Sequence, residues 1–157
     1  MAALGLTGWL LSGCQSAAVP PPRAIQLEQQ WVLEPGDRVA GHEVTGSLGD
    51  VSIQLEGHSL YAPFTGQVAP ATQPGCVIYA TPDVPAYLFR LCGLAQPALG
   101  AVAAGQPLGS GDYLHFATMR RQPSGTWTIV EPSTDILERA IDPKADRSIA
   151  SQSVDQP

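Results

Sequence analysis

The chain has 157 residues, of which 44% are hydrophobic and 14% charged, and its formal net charge is −6 at pH 7. This length supports one small domain with a hydrophobic core, and the composition excludes an intrinsically disordered chain. Nucleic-acid binding needs a positively charged surface, and the only adjacent basic residues are Arg120 and Arg121, so we expect no nucleic-acid partner.

The N-terminal segment predicts a membrane anchor. Residues 1–13 are uncharged and mostly apolar or small. Their last three residues and the next one, Leu11-Ser12-Gly13-Cys14, match the lipobox of bacterial lipoproteins. The apolar run is too short for a spanning helix, and the acyl chains attached at Cys14 would give lasting attachment to a membrane of the cell envelope, on an extracytoplasmic or periplasmic face. A chance cysteine after an apolar segment is the alternative.

Residues 14–24 predict a tether, because three consecutive prolines favour an extended chain. Residues 25–142 predict a β domain whose first stretch, 25–34, is either a helical turn or a strand. Strand-like alternation or β-branched content occurs at 38–45, 50–55, 59–61, 76–81, 86–92, 113–118 and 126–130. Glu56-Gly57-His58 predicts a hairpin turn, and residues 96–105 predict a loop.

One late helix follows the last strand. Ser133 is a suitable N-cap, and residues 134–141 place Ile136, Leu137, Ala140 and Ile141 on one face. Residues 143–157 are polar and predict a disordered tail. The predicted fold class is all-β, as a small sandwich or barrel-sandwich hybrid of short antiparallel strands with one short C-terminal helix.

Two motifs resemble the LytM-type (M23) zinc metallopeptidase family. The Gly-rich turn 105–111, followed by Leu114-His115-Phe116, is similar to the turn and His-x-His-Phe-Glu strand that end that domain. The segment 62–68, APFTGQV, resembles an A-P-x-x-G-x-V turn shared with biotinyl and lipoyl domains, where the glycine permits a positive φ. The resemblance covers about residues 46 to 132.

The family's zinc ligands are the His and Asp of a His-x-x-x-Asp motif and the second His of His-x-His. Asp50 and His115 match two of these, whereas Gly46 replaces the first ligand and Tyr113 replaces the assisting histidine. The resemblance therefore implies a degenerate site, with no bound metal or cofactor and with Asp50 and His115 as the weak metal candidates. Without the resemblance, Asp50 reads as a turn residue and His115 as a half-buried strand histidine.

An alternative is a zinc metallopeptidase acting on peptidoglycan with a rearranged ligand set. It would recruit His42 or His58, which lie eight residues before and after Asp50. A swinging-arm carrier is disfavoured, because the only lysine is Lys144, which lies in the predicted tail and not at the tip of a β-turn.

Cys76 and Cys92 fall on two predicted neighbouring strands. In a protein outside the cytoplasm they are candidates for a disulfide, and two small buried thiols are the alternative.

The predicted function is that of a lipid-anchored cell-envelope lipoprotein. Its LytM-like β domain would be non-catalytic and would bind a protein partner or peptidoglycan, the cell-wall polymer. The chain also resembles uncharacterised cyanobacterial lipoproteins with an LGD, APF, RLCG, FA and VEP pattern, a likeness that implies no activity.

Overall fold

A computed structural model describes residues 23–144. The predicted signal segment 1–13, the acylated Cys14, most of the tether and residues 145–157 of the predicted tail lie outside the described residues. The strands are β1 Ile25–Leu27, β2 Arg38–Val39, β3 His42–Gly46, β4 Val51–Gln54, β5 Ser59–Tyr61, β6 Gly66–Pro70, β7 Cys76–Ala80, β8 Tyr87–Cys92, β9 Gly100–Val102, β10 Pro107–Ser110, β11 Tyr113–Arg121 and β12 Trp127–Val130. The helix α1 spans Thr134–Ile141.

Strand β11 is the centre of a ten-stranded, mostly antiparallel sheet. Its first half pairs with β4, its second half pairs with β12, and β8 pairs along its other edge. The order continues from β4 to β3 and β2, and from β8 to β7, β6 and β9. The exception to antiparallel pairing is β1, which lies parallel to β12.

The hydrophobic core lies on one face of this sheet. Tyr79, Phe89 and Phe116 are almost completely buried, and their rings form a continuous series with centroids 5.7 and 5.6 Å apart. Aromatic rings at this separation contribute favourable edge and offset contacts in addition to the apolar area that they bury.

A second, two-stranded sheet formed by β5 and β10 covers the core together with α1. Leu60, Leu108 and Leu137 bring these elements into the same cluster as the aromatic series. The fold is therefore all-β, sandwich-like and without a closed barrel, with one short C-terminal helix, and this part of the prediction is confirmed.

The helix begins and ends where the sequence predicts, and it buries Leu137, Ala140 and Ile141. Ser133 occupies the N-cap position, but its side chain makes no capping hydrogen bond. Between residues 23 and 144, no helix is long and apolar enough to cross a membrane.

Two predictions about how neighbouring strands are connected are wrong. Residues 38–45 form two strands and not one, because Ala40 and Gly41 both adopt positive φ and make a tight turn between β2 and β3. The turn at Glu56-Gly57 does not make a hairpin, because β4 pairs with β3 and β11 whereas β5 pairs with β10.

Strands β9 and β10 lie in segments that were predicted as a loop and a turn. Gly100, Pro107 and Gly109 are of types depleted in strands, and the single residues Val102 and Leu108 are too few to give an alternating pattern. Pairing with β6 and β5, respectively, makes them strands, and that pairing depends on the whole fold.

The conformation implied for Gly66 is also wrong, because this residue does not adopt positive φ. A side chain is excluded there for another reason. A Cβ atom on Gly66 would overlap the carbonyl oxygen of Ala80 and would lie 2.8 Å from Cε2 of Tyr79. The glycine therefore permits close packing of β6 on β7.

Tyr79 fixes the segment that enters β6. Its hydroxyl donates to the carbonyl oxygen of Phe64 at 2.6 Å and accepts from the Phe64 N–H at 3.1 Å. Burial raises the pKa of the Tyr79 hydroxyl to about 12; the hydrogen bond with the Phe64 backbone lowers it, and Asp83 raises it.

We expect Tyr79→Phe to lower the free energy of unfolding by about 1–3 kcal/mol at pH 7, because a buried backbone pair loses its partner. Between pH 10 and 12 the folded parent keeps the phenolic proton that the unfolded chain releases, so parent stability falls as pH rises in that window. Urea unfolding across this range should show a shallower fall for Tyr79→Phe. If the free energy of unfolding fell equally steeply with pH in the parent and in Tyr79→Phe, the raised pKa of Tyr79 would be contradicted.

Candidate functional site

A row of residues crosses five neighbouring strands on the face of the large sheet opposite the core. Register places Gly46 of β3 beside Ser52 of β4, Ser52 beside His115 of β11, His115 beside Cys92 of β8, and Cys92 beside Cys76 of β7. We call these five residues the outer row. It arises because inward and outward side chains alternate along each strand.

Asp50, Ser52 and His115 form a hydrogen-bonded triplet in this region. Ser52 Oγ lies 3.0 Å from Asp50 Oδ1 and 2.8 Å from His115 Nδ1, and the last two atoms are 3.7 Å apart. The His115 and Asp50 side chains are 46% and 33% exposed. The structure thus brings together the two residues that match the ligand positions of the LytM family.

The hydrogen-bond donors in the triplet can be assigned from chemistry. An ionised carboxylate only accepts, so the single hydroxyl hydrogen of Ser52 is donated to Asp50. Ser52 Oγ then accepts the Nδ1 hydrogen of His115. In the neutral ring, Nε2 of His115 is therefore an unprotonated acceptor.

The two positions that depart from the family pattern border the triplet. A Cβ atom on Gly46 would lie 3.2 Å from Ser52 Oγ, so a side chain at position 46 would extend alongside the triplet. Tyr113 is 48% exposed and lies two residues before His115 on β11, on the same face. Gly93 borders the His115 ring: a Cβ there would lie 3.7 Å from Cδ2.

The triplet does not have the donor set of a catalytic zinc site. Such a site needs three protein ligands, and two tetrahedral ligands at about 2.0–2.2 Å from zinc lie about 3.4 Å apart. Asp50 and His115 are near this separation, but Ser52 Oγ bonds both of them and Nδ1 is a donor. Within residues 23–144 no three His, Cys, Asp or Glu side chains are close enough to hold a metal ion.

His42 and His58 pair with each other and do not complete the triplet. Their ring centroids are 5.2 Å apart, and His42 Nδ1 bonds the Gln54 carbonyl whereas His58 Nδ1 bonds the Leu55 carbonyl. The four metal-binding candidates therefore separate into two pairs.

Cys76 and Cys92 form a disulfide in the structure, across 16 positions of sequence. It continues the outer row directly beside His115 and joins β7 to β8. The sequence predicted Cys76 and Cys92 as a candidate disulfide, but it did not place them beside His115, because that position depends on which strands pair with β11. Sequence reasoning also missed Ser52, although two-residue spacing from Asp50 places both side chains on the same side of an extended chain.

A cavity of about 500 Å³ lies elsewhere in the described domain. It is lined by parts of β11, β12 and α1, with Arg120 and Glu131 at its polar wall, and it contains no member of the outer row. Thr118 is one of its lining residues, and the Oγ1 atom of Thr118 is buried without a hydrogen-bond partner.

Comparison with protein-family models gives no match, and comparison with curated proteins gives no similar sequence.

Proposed function

We propose that this chain is a lipid-anchored lipoprotein of the cell envelope whose β domain is a degenerate LytM-like module that binds the peptide part of the cell-wall polymer. The observation that carries the proposal is the Asp50–Ser52–His115 triplet beside Gly46. The two matching ligand positions lie together, the third offers no side chain, and a hydroxyl links the remaining two.

The donor arrangement supports binding without turnover. Hydrolysis by a zinc-bound water needs three ligands, a general base and a group that stabilises the oxyanion. The Tyr113 hydroxyl could stabilise the oxyanion, but tyrosine is a poor general base near neutral pH because its ordinary pKa is about 10. The alternative peptidase would need His42 or His58 beside Asp50 and His115, and within residues 23–144 neither histidine joins those two residues in a metal-holding group.

The exposed polar atoms on the face of the large sheet opposite the core suit a peptide ligand. Nε2 of His115 accepts a hydrogen bond from an amide N–H, the Tyr113 hydroxyl can donate to a carbonyl, and the second oxygen of Asp50 accepts an amide or ammonium group. All three residues belong to well-paired strands or to a strand start, so little backbone conformational entropy is lost on binding.

Co-sedimentation of the purified chain with insoluble peptidoglycan tests this proposal. We expect the parent to sediment, and we expect His115→Ala and Asp50→Asn to weaken binding by at least about fivefold, since each removes a hydrogen bond worth about 1 kcal/mol. Gln67→Ala, an exposed change on β6, is the matched control. No binding by the parent, together with capture of an envelope protein that depends on His115, would assign the face to a protein partner instead.

The anchor is proposed from the lipobox at Cys14. We expect Cys14→Ser to move the chain from the membrane fraction to the soluble fraction, or to leave the precursor uncleaved, because acylation supplies the attachment. Fractionation followed by mass measurement of the mature chain checks both results. A Cys14→Ser chain that fractionates and migrates like the parent would contradict the lipoprotein assignment.

A further inference from the structure

His42 and His58 form a second histidine pair that the proposed function does not use. His42 begins β3 and is partly buried, whereas His58 is exposed in the turn before β5. Their ring centroids are 5.2 Å apart, and the ring planes are inclined by 72°. The two residues flank β4 in the sequence, and their side chains meet at its C-terminal end beside the Gln54 and Leu55 carbonyls.

The hydrogen bonds of these rings define their tautomers. His42 Nδ1 lies 3.0 Å from the Gln54 carbonyl oxygen, and His58 Nδ1 lies 2.7 Å from that of Leu55. A carbonyl oxygen only accepts, so each Nδ1 carries a hydrogen and each neutral ring keeps its lone pair on Nε2. Metal-binding histidines in proteins are oriented in this way, with the non-ligating N–H donated to a carbonyl or carboxylate.

The separation of the rings fits two ligands of one ion. Imidazoles that bind through nitrogen at about 2.0–2.1 Å, with an angle of about 90–110° at the ion, have centroids roughly 4.5–5.3 Å apart. The separation in this chain falls inside that range. In the part of the chain that the structure describes, no third His, Cys, Asp or Glu joins them in a metal-holding group.

We propose that His42 and His58 bind one divalent late first-row cation through their Nε2 atoms, with Cu²⁺ bound most tightly. Imidazole nitrogen suits copper, nickel and zinc, and at a site of given nitrogen ligands the affinity is highest for Cu²⁺. Two protein ligands leave the remaining positions to water or to an exchangeable ligand. The site is therefore labile, and it is separate from the Asp50–Ser52–His115 triplet.

Metal binding would also connect two parts of the fold. His42 belongs to the large sheet, and His58 precedes the strand that builds the two-stranded sheet. An ion held by both rings stabilises the folded chain relative to the unfolded one, by an amount set by its free concentration over Kd. We therefore expect Cu²⁺ to raise the Tm of the parent.

The test is a titration of the full chain, purified in mild detergent without a histidine tag, with Cu²⁺ alone. We expect one equivalent to bind with two-nitrogen coupling in the electron paramagnetic resonance spectrum. His42→Gln and His58→Gln should each weaken binding by at least about tenfold, because loss of a direct ligand costs no less than loss of a ligand's supporting partner. Glutamine at position 42 keeps a donor for the Gln54 carbonyl, and His115→Gln is the matched control.

Binding that is equally tight in the His42→Gln/His58→Gln double variant would overturn the proposal, as would a loss of binding confined to His115→Gln. A parent that binds no Cu²⁺ in the titration would overturn it as well. Circular dichroism shows whether each variant is folded. If the changes at position 42 unfold the chain, His58→Gln decides, because His58 is exposed in a turn.

Discussion

Gly46→His combined with Ser52→Ala is expected to create a zinc site in a chain that offers two candidate ligands, Asp50 and His115, at this position. The new imidazole would extend alongside Asp50 and His115, because a Cβ on Gly46 points toward Ser52. Ser52→Ala removes the hydroxyl that hydrogen-bonds to both Asp50 and His115. The same hydroxyl oxygen would lie only 3.2 Å from the new Cβ at position 46, which is a tight contact. Gly46 does not have a positive φ, so a side chain is compatible with its backbone.

A third ligand completes the set that zinc prefers, so the double variant should bind Zn²⁺ at least about 100-fold more tightly than Ser52→Ala alone. Competition with a colourimetric chelator measures both affinities. Adding His115→Ala to the double variant is the control, and it should return the affinity to that of Ser52→Ala. If Gly46→His produces no gain, position 46 does not correspond to a ligand position and the LytM resemblance fails at this site.

Gly66→Ala is expected to lower the free energy of unfolding by about 3 kcal/mol or more, which is large for the addition of one methyl group. The added Cβ would overlap the Ala80 carbonyl oxygen and press on the Tyr79 ring. Relief requires β6 to separate from β7, and that movement would strain the hydrogen bonds between Tyr79 and Phe64. Urea denaturation measures the change.

The neighbouring Gln67→Ala is the control for this prediction, because Gln67 is exposed on the same strand and should change stability by less than about 0.5 kcal/mol. A stability of Gly66→Ala within error of the parent would show that the strands tolerate a wider spacing than the structure has.

Local sequence pattern predicts the elements whose signal is contained in neighbouring residues. The helix 134–141 and the strands around Cys76, Phe89 and His115 lie where alternation and helical spacing place them. Asp50 and His115 were identified through a resemblance to a family motif, and the sheet register brings them to 3.7 Å.

The remaining features depend on contacts between distant segments. Strand β10 contains Pro and Gly and becomes a strand because β5 pairs with it. Gly66 is needed for a close approach to Ala80, and a sequence motif alone does not separate that requirement from a positive φ. The place of the disulfide beside His115 follows from β8 lying next to β11. In the sequence, β11 begins 21 positions after the end of β8, and strands β9 and β10 come between them.

The most direct test of a binding module without catalysis is release of soluble fragments from purified peptidoglycan by the full chain in the presence of zinc. We expect no increase in new amino groups above the buffer control, because the chain lacks one ligand and the assisting histidine of the LytM pattern that it resembles, and loss of the assisting group alone costs roughly 10²–10⁴ in rate. Zinc-dependent, chelator-sensitive release that His115→Ala abolishes would contradict this account and would identify the chain as a peptidase.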